Sequence, residues 1–270
     1  MNRPARKQRE REYRKLVDRR GVNARARDWY EIVGLMQLLR EKVQSSIRRR
    51  SILPLMDYVY ANMVRGTQFI AAIPVSCEKG CSYCCNTWVD AMPPEAIYTI
   101  KMMSPEQKDR IREAVDRTSQ RTGGVAHAGR LSMVTACPLL ADNICSVYQH
   151  RPLACRAATS VDVAICKRSL MDKSGEKIPS PVLWRDLRQG YGVALEGAIL
   201  NAGLARLSRE WNESLRIGLA SPDVEERWLS GFDDFADVPR SPYPTTFEIP
   251  HWRELYQEAF GSPPPVEALH

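Results

Sequence analysis

The eight cysteines of this 270-residue chain all fall between positions 77 and 166. Four are packed into Cys77-Glu-Lys-Gly-Cys81-Ser-Tyr-Cys84-Cys85, and Cys137, Cys145, Cys155 and Cys166 follow after a gap of 51 residues. At about 3 % of the chain they are too sparse for a disulfide-built scaffold. A lone cysteine usually packs as a small hydrophobe, which explains one or two of the eight but not a C-x3-C-x2-C-C run. A disulfide framework needs an oxidising compartment, and the first 50 residues contain no apolar export segment. The spacing therefore points to thiolates gathered for zinc, iron or an iron–sulfur cluster, in a reducing, cytoplasmic setting.

A chain of this length can bury a substantial core as one domain or two. No stretch of 18 uncharged apolar residues occurs. The most apolar stretch, Ile52 to Val75, is broken by Pro54, Asp57 and Arg65, so no membrane span is expected. The net charge of +7 is uneven: residues 1–50 carry +10 and the remaining 220 carry −3. Such an arm can reach an acidic protein, anionic lipid or nucleic acid. The interspersed Glu10, Glu12, Asp18, Asp28 and Glu31 favour a solvated helix instead, and nucleic acid is not the expected partner. No aromatic–basic array for single strands is visible.

Periodicity predicts a mainly α-helical fold, with helices around a loop-rich cysteine centre. Apolar residues recur at helical spacing from Asp28 to Arg48, and a second helix is expected over Leu55 to Val64 after Pro54. Gln68 to Val75 reads as a short strand leading into the cysteine loop. Pro93-Pro94-Glu95 opens a helix, and Ser104-Pro105-Glu106-Gln107 is a capping box for a helix ending at Gly123-Gly124. Residues 131–168 read mostly as loops and turns. A long helical region is expected from Leu183 through Leu215, another helix after Ser221-Pro222, and a last one over Pro250 to Phe260. The resulting organisation is a basic arm at 1–24, helices at 25–74, a cysteine core at 75–170, C-terminal helices at 171–260 and a tail at 261–270.

C-x3-C-x2-C with an aromatic before the third cysteine is similar to the [4Fe–4S] loop of radical S-adenosylmethionine enzymes. The alternation of strands and helices that their barrel requires does not follow Cys85. Both cysteine groups together resemble the YkgJ-type cysteine-cluster family, the CxxCxxCC group of zinc- or iron-chelating proteins. The resemblance rests on Gly80-Cys81-Ser-Tyr-Cys84-Cys85, on Pro93-Pro94-Glu95, and on Cys137-Pro138-Leu139-Leu140. It continues through Cys145-Ser-Val147-Tyr148-Gln-His-Arg151-Pro152-Leu153-Ala154-Cys155-Arg156 and the later Cys166. It covers roughly residues 75–170 and leaves both flanks unexplained. The gap from Cys77 to Cys81 is three residues where the family has two, which makes the role of Cys77 the least defined.

The resemblance implies a metal held by some of Cys77, Cys81, Cys84, Cys85, Cys137, Cys145, Cys155 and Cys166. Cys84 and Cys85, as sequence neighbours, are expected to diverge and serve different metals, or one to bind and one to pack. An excess of thiolates suits iron or an iron–sulfur cluster more than one closed zinc tetrahedron, with zinc as the alternative. Arg151 and Arg156 are expected beside the thiolates, offsetting their charge and donating to sulfur or a bound anion, and Tyr148 is expected to pack there. His150 is a weaker ligand candidate. Gly190-x-Gly192 is read as close helix packing, since no strand precedes it. Two functions follow: redox chemistry or modification of a peptide or protein, and a zinc-stapled interaction module. Flagellin lysine methylase, a relative with such a module, adds methyl transfer from S-adenosylmethionine as a further alternative.

Overall fold

A computed structural model describes residues 23–265; the basic arm expected at 1–24 falls, up to residue 22, outside the described residues, as does His270. Eleven α-helices and two two-stranded ladders make up the regular structure of the described residues. The fold is thus mainly α, as expected.

Helix α1 (Asn23–Arg49) buries Val33, Met36, Leu39 and Val43 at helical spacing and packs along α8 (Val182–Asn201), whose residues Val193 to Leu200 are buried on all sides. Helix α2 (Leu53–Phe69) and α11 (Pro250–Phe260) complete this layer against α1 and α8. The break expected near Pro54 falls at residues 50–52, and Pro54 itself stands in the first turn of α2, where its missing N–H costs nothing. Gln68 and Phe69 still belong to α2, and residues 70–75 continue as turns rather than the expected strand.

A second layer contains α3 (Pro93–Lys101), α4 (Pro105–Thr122) and α9 (Trp211–Ala220). The predicted capping box forms: Ser104 Oγ accepts from Gln107 N at 3.3 Å, and Gln107 Oε1 from Ser104 N at 2.9 Å. Gly218 lets α9 sit close on α3, because a Cβ there would stand 2.5 Å from Ile100 Cδ1. One continuous apolar core runs through both layers.

The helix expected from Leu183 through Leu215 is two helices. It stops at Asn201, Gly203 takes φ +71°, and β4 (Arg209–Glu210) intervenes before α9. That break lets Arg209–Glu210 pair antiparallel with β1 (Asp90–Ala91), tying the cysteine region to the C-terminal half. Among the glycines of α8, Gly197 makes the close approach: a Cβ there would have Met36 and Phe247 within 3.3 Å, whereas one at Gly190 would make ordinary contact with Ile32. Gly192 faces open space.

Candidate metal centre and its cleft

The cysteine segment is built from short turns, each fixed by its own sequence. Gly80 adopts φ +90°, a conformation costly to any side-chain-bearing residue, and Cys81 N donates to Glu78 O at 3.0 Å to close that turn. Cys84 and Cys85 lie on a 3-10 turn, Tyr83–Asn86. Cys137 N donates to Cys85 O at 2.8 Å, joining the two cysteine groups through the backbone. Strands β2 (Leu140–Ala141) and β3 (Ile144–Cys145) form a hairpin whose turn residues, Asp142 and Asn143, both have positive φ, the primed-turn geometry that Asp and Asn tolerate. This hairpin folds Cys145 back toward Cys137. Cys155 rides on the short α6 (Leu153–Ala157), which packs on α8. Cys166 lies on α7 (Val163–Leu170), which Asp162 caps through Ala164 N and Ile165 N and which packs on the 3-10 turn of Cys84 and Cys85.

Six cysteines, Cys81, Cys84, Cys85, Cys137, Cys145 and Cys155, line one cleft of about 870 Å³. Cys77 and Cys166 are not in its wall. Cys77 is tied to Ser160, whose N–H approaches its Sγ at 3.4 Å, and its charge is felt with those of Cys81, Cys84 and Cys166. Cys166 in turn feels Cys81 and Cys84. Cys84 also acts on Cys145 and Cys155, so it belongs to both ends of the array. The two neighbours do not diverge: both line the same cleft, and Cys85 raises the pKa of Cys84.

The other expected residues separate in role. Arg151 lines the cleft, lies over the exposed Tyr148 ring at 3.9 Å, donates to Tyr148 Oη at 3.2 Å, and keeps its buried Nε without a partner. Its charge lowers the cost of ionising Cys84, Cys145 and Cys155. Arg156 is turned away. It donates to Arg151 O at 3.0 Å and to Gln149 O, stacks on Tyr60 at 4.4 Å and does not line the cleft. His150 faces the Tyr98 ring and is likewise absent from the lining.

Residues without a role in the sequence reading complete the cleft. Glu95, quoted only as part of a motif, is buried and joins the cysteine groups: Oε2 accepts Met92 N at 2.9 Å and Oε1 accepts Leu153 N at 2.7 Å. One carboxylate thus satisfies N–H groups at the start of both α3 and α6. Burial raises its pKa, opposed by those two bonds and by the charges of Arg156 and Arg188. Trp211 lies beside Cys137 and favours its thiolate. Arg188, Gln189, Gly192, Val193 and Glu196 line the cleft at positions i, i+1, i+4, i+5 and i+8, one face of α8. No local sequence motif marks these residues.

The donor chemistry fits a soft or borderline metal: a concentration of thiols, a cationic Arg151 beside them, and a buried guanidinium nitrogen left without a protein partner. Among the described residues no three Cys, His, Asp or Glu side chains stand as a ready-made metal cage, so ligation requires side chains to turn inward. Burial is the main cause that pushes Cys77, Cys137, Cys145, Cys155 and Cys166 up, Cys137 to about 12; for Cys84 the neighbouring Cys85 leads, followed by burial. Near neutral pH these groups are therefore thiols, and every one that becomes a ligand must release a proton. Metal affinity is expected to rise about tenfold per pH unit for each proton displaced. Chelator competition at pH 6.5 and 8.0 checks this, and an affinity independent of pH would contradict it.

No curated protein and no solved structure matches the chain. No helix of the described residues is long and apolar enough to cross a membrane. Residues 76–177, which carry all eight cysteines, match the family model CxxCxxCC, described as "Putative zinc- or iron-chelating domain", so this segment is similar to that family and its cysteine cluster is a metal-binding one.

Proposed function

We propose that the cysteine cluster holds an iron centre, an iron–sulfur cluster foremost, used for redox chemistry or for modification of a peptide or protein substrate. The observation that supports this reading is the number of thiols facing one cleft: six line it, where a closed zinc tetrahedron uses four ligands. The ligands would come from Cys81, Cys84, Cys85, Cys137, Cys145 and Cys155, with Cys77 and Cys166 adjoining. When bound, the group supplies electron transfer or substrate activation. The chain's own residues shield it from water, and Arg151 provides compensating charge. The competing reading, a zinc-stapled interaction module with the basic arm holding an acidic partner, is favoured by the backbone ties between turns, which any structural metal would reinforce. Methyl transfer from S-adenosylmethionine has no separate support in the cleft.

A redox titration tests the iron reading. The visible absorption of anaerobically isolated protein should bleach reversibly on reduction. Arg151→Ala should retain its metal but lose a positive charge that favours the more anionic reduced state. Its potential is expected to fall by roughly 40–90 mV, the equivalent of about 1–2 kcal/mol for one electron and one nearby charge. A colourless protein that does not titrate would overturn the reading; a coloured protein with an unshifted Arg151→Ala potential would remove only the role assigned to Arg151.

A further inference from the structure

The cleft is larger than a metal needs and extends beyond the cysteine segment. The rest of its lining includes residues of the C-terminal helices: the Arg188–Glu196 face of α8, with Trp211 and Trp252. Trp88 closes it from the cysteine side. Its volume of about 870 Å³ falls within the range of small-molecule sites, about 300–1,000 Å³. Most of the remaining lining is apolar, including Met92, Leu140, Ile144, Val193 and Ile249.

The lining holds four acids, Glu78, Asp90, Glu95 and Glu196, and three bases, Lys79, Arg151 and Arg188, and they differ in how they are held. Glu95 already accepts two backbone N–H groups, Glu196 is engaged by Arg206 and Thr246, and Asp90 accepts the Trp88 indole N–H at 2.8 Å. At the exposed rim Glu78 and Lys79 are of opposite sign. Arg188 is different. It is only partly exposed, feels Glu95 and Asp90 through space, and makes no hydrogen bond or ion pair within reach among the described residues. Arg151 has only the neutral Tyr148 hydroxyl for its side chain. A half-buried guanidinium without an acidic partner carries a desolvation cost that an anionic ligand would offset, and its planar fork matches a carboxylate.

We infer that the cleft binds a small molecule carrying one carboxylate on an apolar body of aromatic size, with Arg188 receiving the carboxylate and Trp88, Trp211 and Trp252 enclosing the body beside the thiols. Gly192 is part of the accommodation: it stands one helical turn beyond Arg188, and a Cβ there would meet nothing within 4 Å. This names a ligand class for the site already described. It does not depend on which metal the thiols hold, since binding is read directly on iron-loaded and zinc-loaded protein.

The experiment uses 8-anilinonaphthalene-1-sulfonate as a fluorescent reporter of the cleft at 0.15 M salt. N-acetyl-L-tryptophan, which has a free carboxylate, and its neutral amide are the competitors. The acid should displace the reporter at a concentration at least tenfold lower than the amide. Arg188→Gln should erase that preference and Arg188→Lys should keep part of it. Gly192→Leu should block reporter and competitors alike, at unchanged circular dichroism and metal content. If Arg188→Gln fails to fold, Gly192→Leu and the acid-to-amide ratio of the parent decide. Equal displacement by acid and amide, a preference that survives Arg188→Gln, or a reporter indifferent to Gly192→Leu would each overturn the inference.

Discussion

Replacing Cys84 by Ser is expected to weaken metal binding enough for the metal to be lost on dialysis against a chelator. Cys84 is the thiol common to both ends of the array: it lines the cleft beside Cys85 and acts electrostatically on Cys77 and Cys166 on one side and on Cys145 and Cys155 on the other. Structural metal sites of four ligands contribute about 10–16 kcal/mol of binding free energy, or roughly 3 kcal/mol per ligand. Loss of one thiolate should therefore weaken binding about a hundredfold. Because the ligands come from turns far apart in sequence, the same change should lower the thermal stability of residues 75–170 as a unit. Metal analysis after dialysis and a thermal melt measure both. A Cys84→Ser protein with parental metal content and melting temperature would show that Cys84 is not a ligand. Cys81→Ser is expected to behave similarly, whereas Cys77→Ser, at the exposed margin, should lose least.

Glu95→Ala should be the most damaging change outside the cysteines. It leaves the buried N–H groups of Met92 and Leu153 without acceptors, at about 1–3 kcal/mol each, so roughly 2–6 kcal/mol in total. Those two groups begin the helices that follow the first cysteine group and carry Cys155, so the substitution should loosen the cluster as well as destabilise the fold. Glu95→Gln does not rescue it fully, because one of the two acceptors becomes an amide N–H₂ pointing at another donor. Urea denaturation of metal-free protein isolates the fold effect. A loss under 1 kcal/mol would show that water can replace the carboxylate and that the cysteine groups do not depend on it.

The helices were legible where local chemistry decides them. Ser104 with Gln107 and Pro250 at a first turn mark boundaries through backbone hydrogen bonding alone. Where tertiary packing decides, the sequence misleads. Phe69-Ile70-Ala71-Ala72-Ile73 has strand-like composition, yet α2 runs on to Phe69 and the chain then turns. Gly203, at φ +71°, has nothing in its local sequence to set it apart from Gly190 and Gly197, which stay helical; only its φ does. The thiols could be found because they are dense within two short segments. The rest of the lining could not, because Arg188, Trp211 and Trp252 reach the cleft from α8, α9 and α11, which only the folded helices bring together. Arg151 and Arg156 share one motif, yet Arg151, just after the 3-10 turn Tyr148–His150, lines the cleft while Arg156, on α6, stacks on Tyr60.

The central claim concerns the metal, and its most direct test is elemental analysis of the full chain purified without oxygen or added metal, together with assay of acid-labile sulfide. Iron and sulfide together, in amounts stoichiometric with protein and lost in Cys84→Ser, are the predicted result. One zinc per chain with neither iron nor sulfide would contradict it.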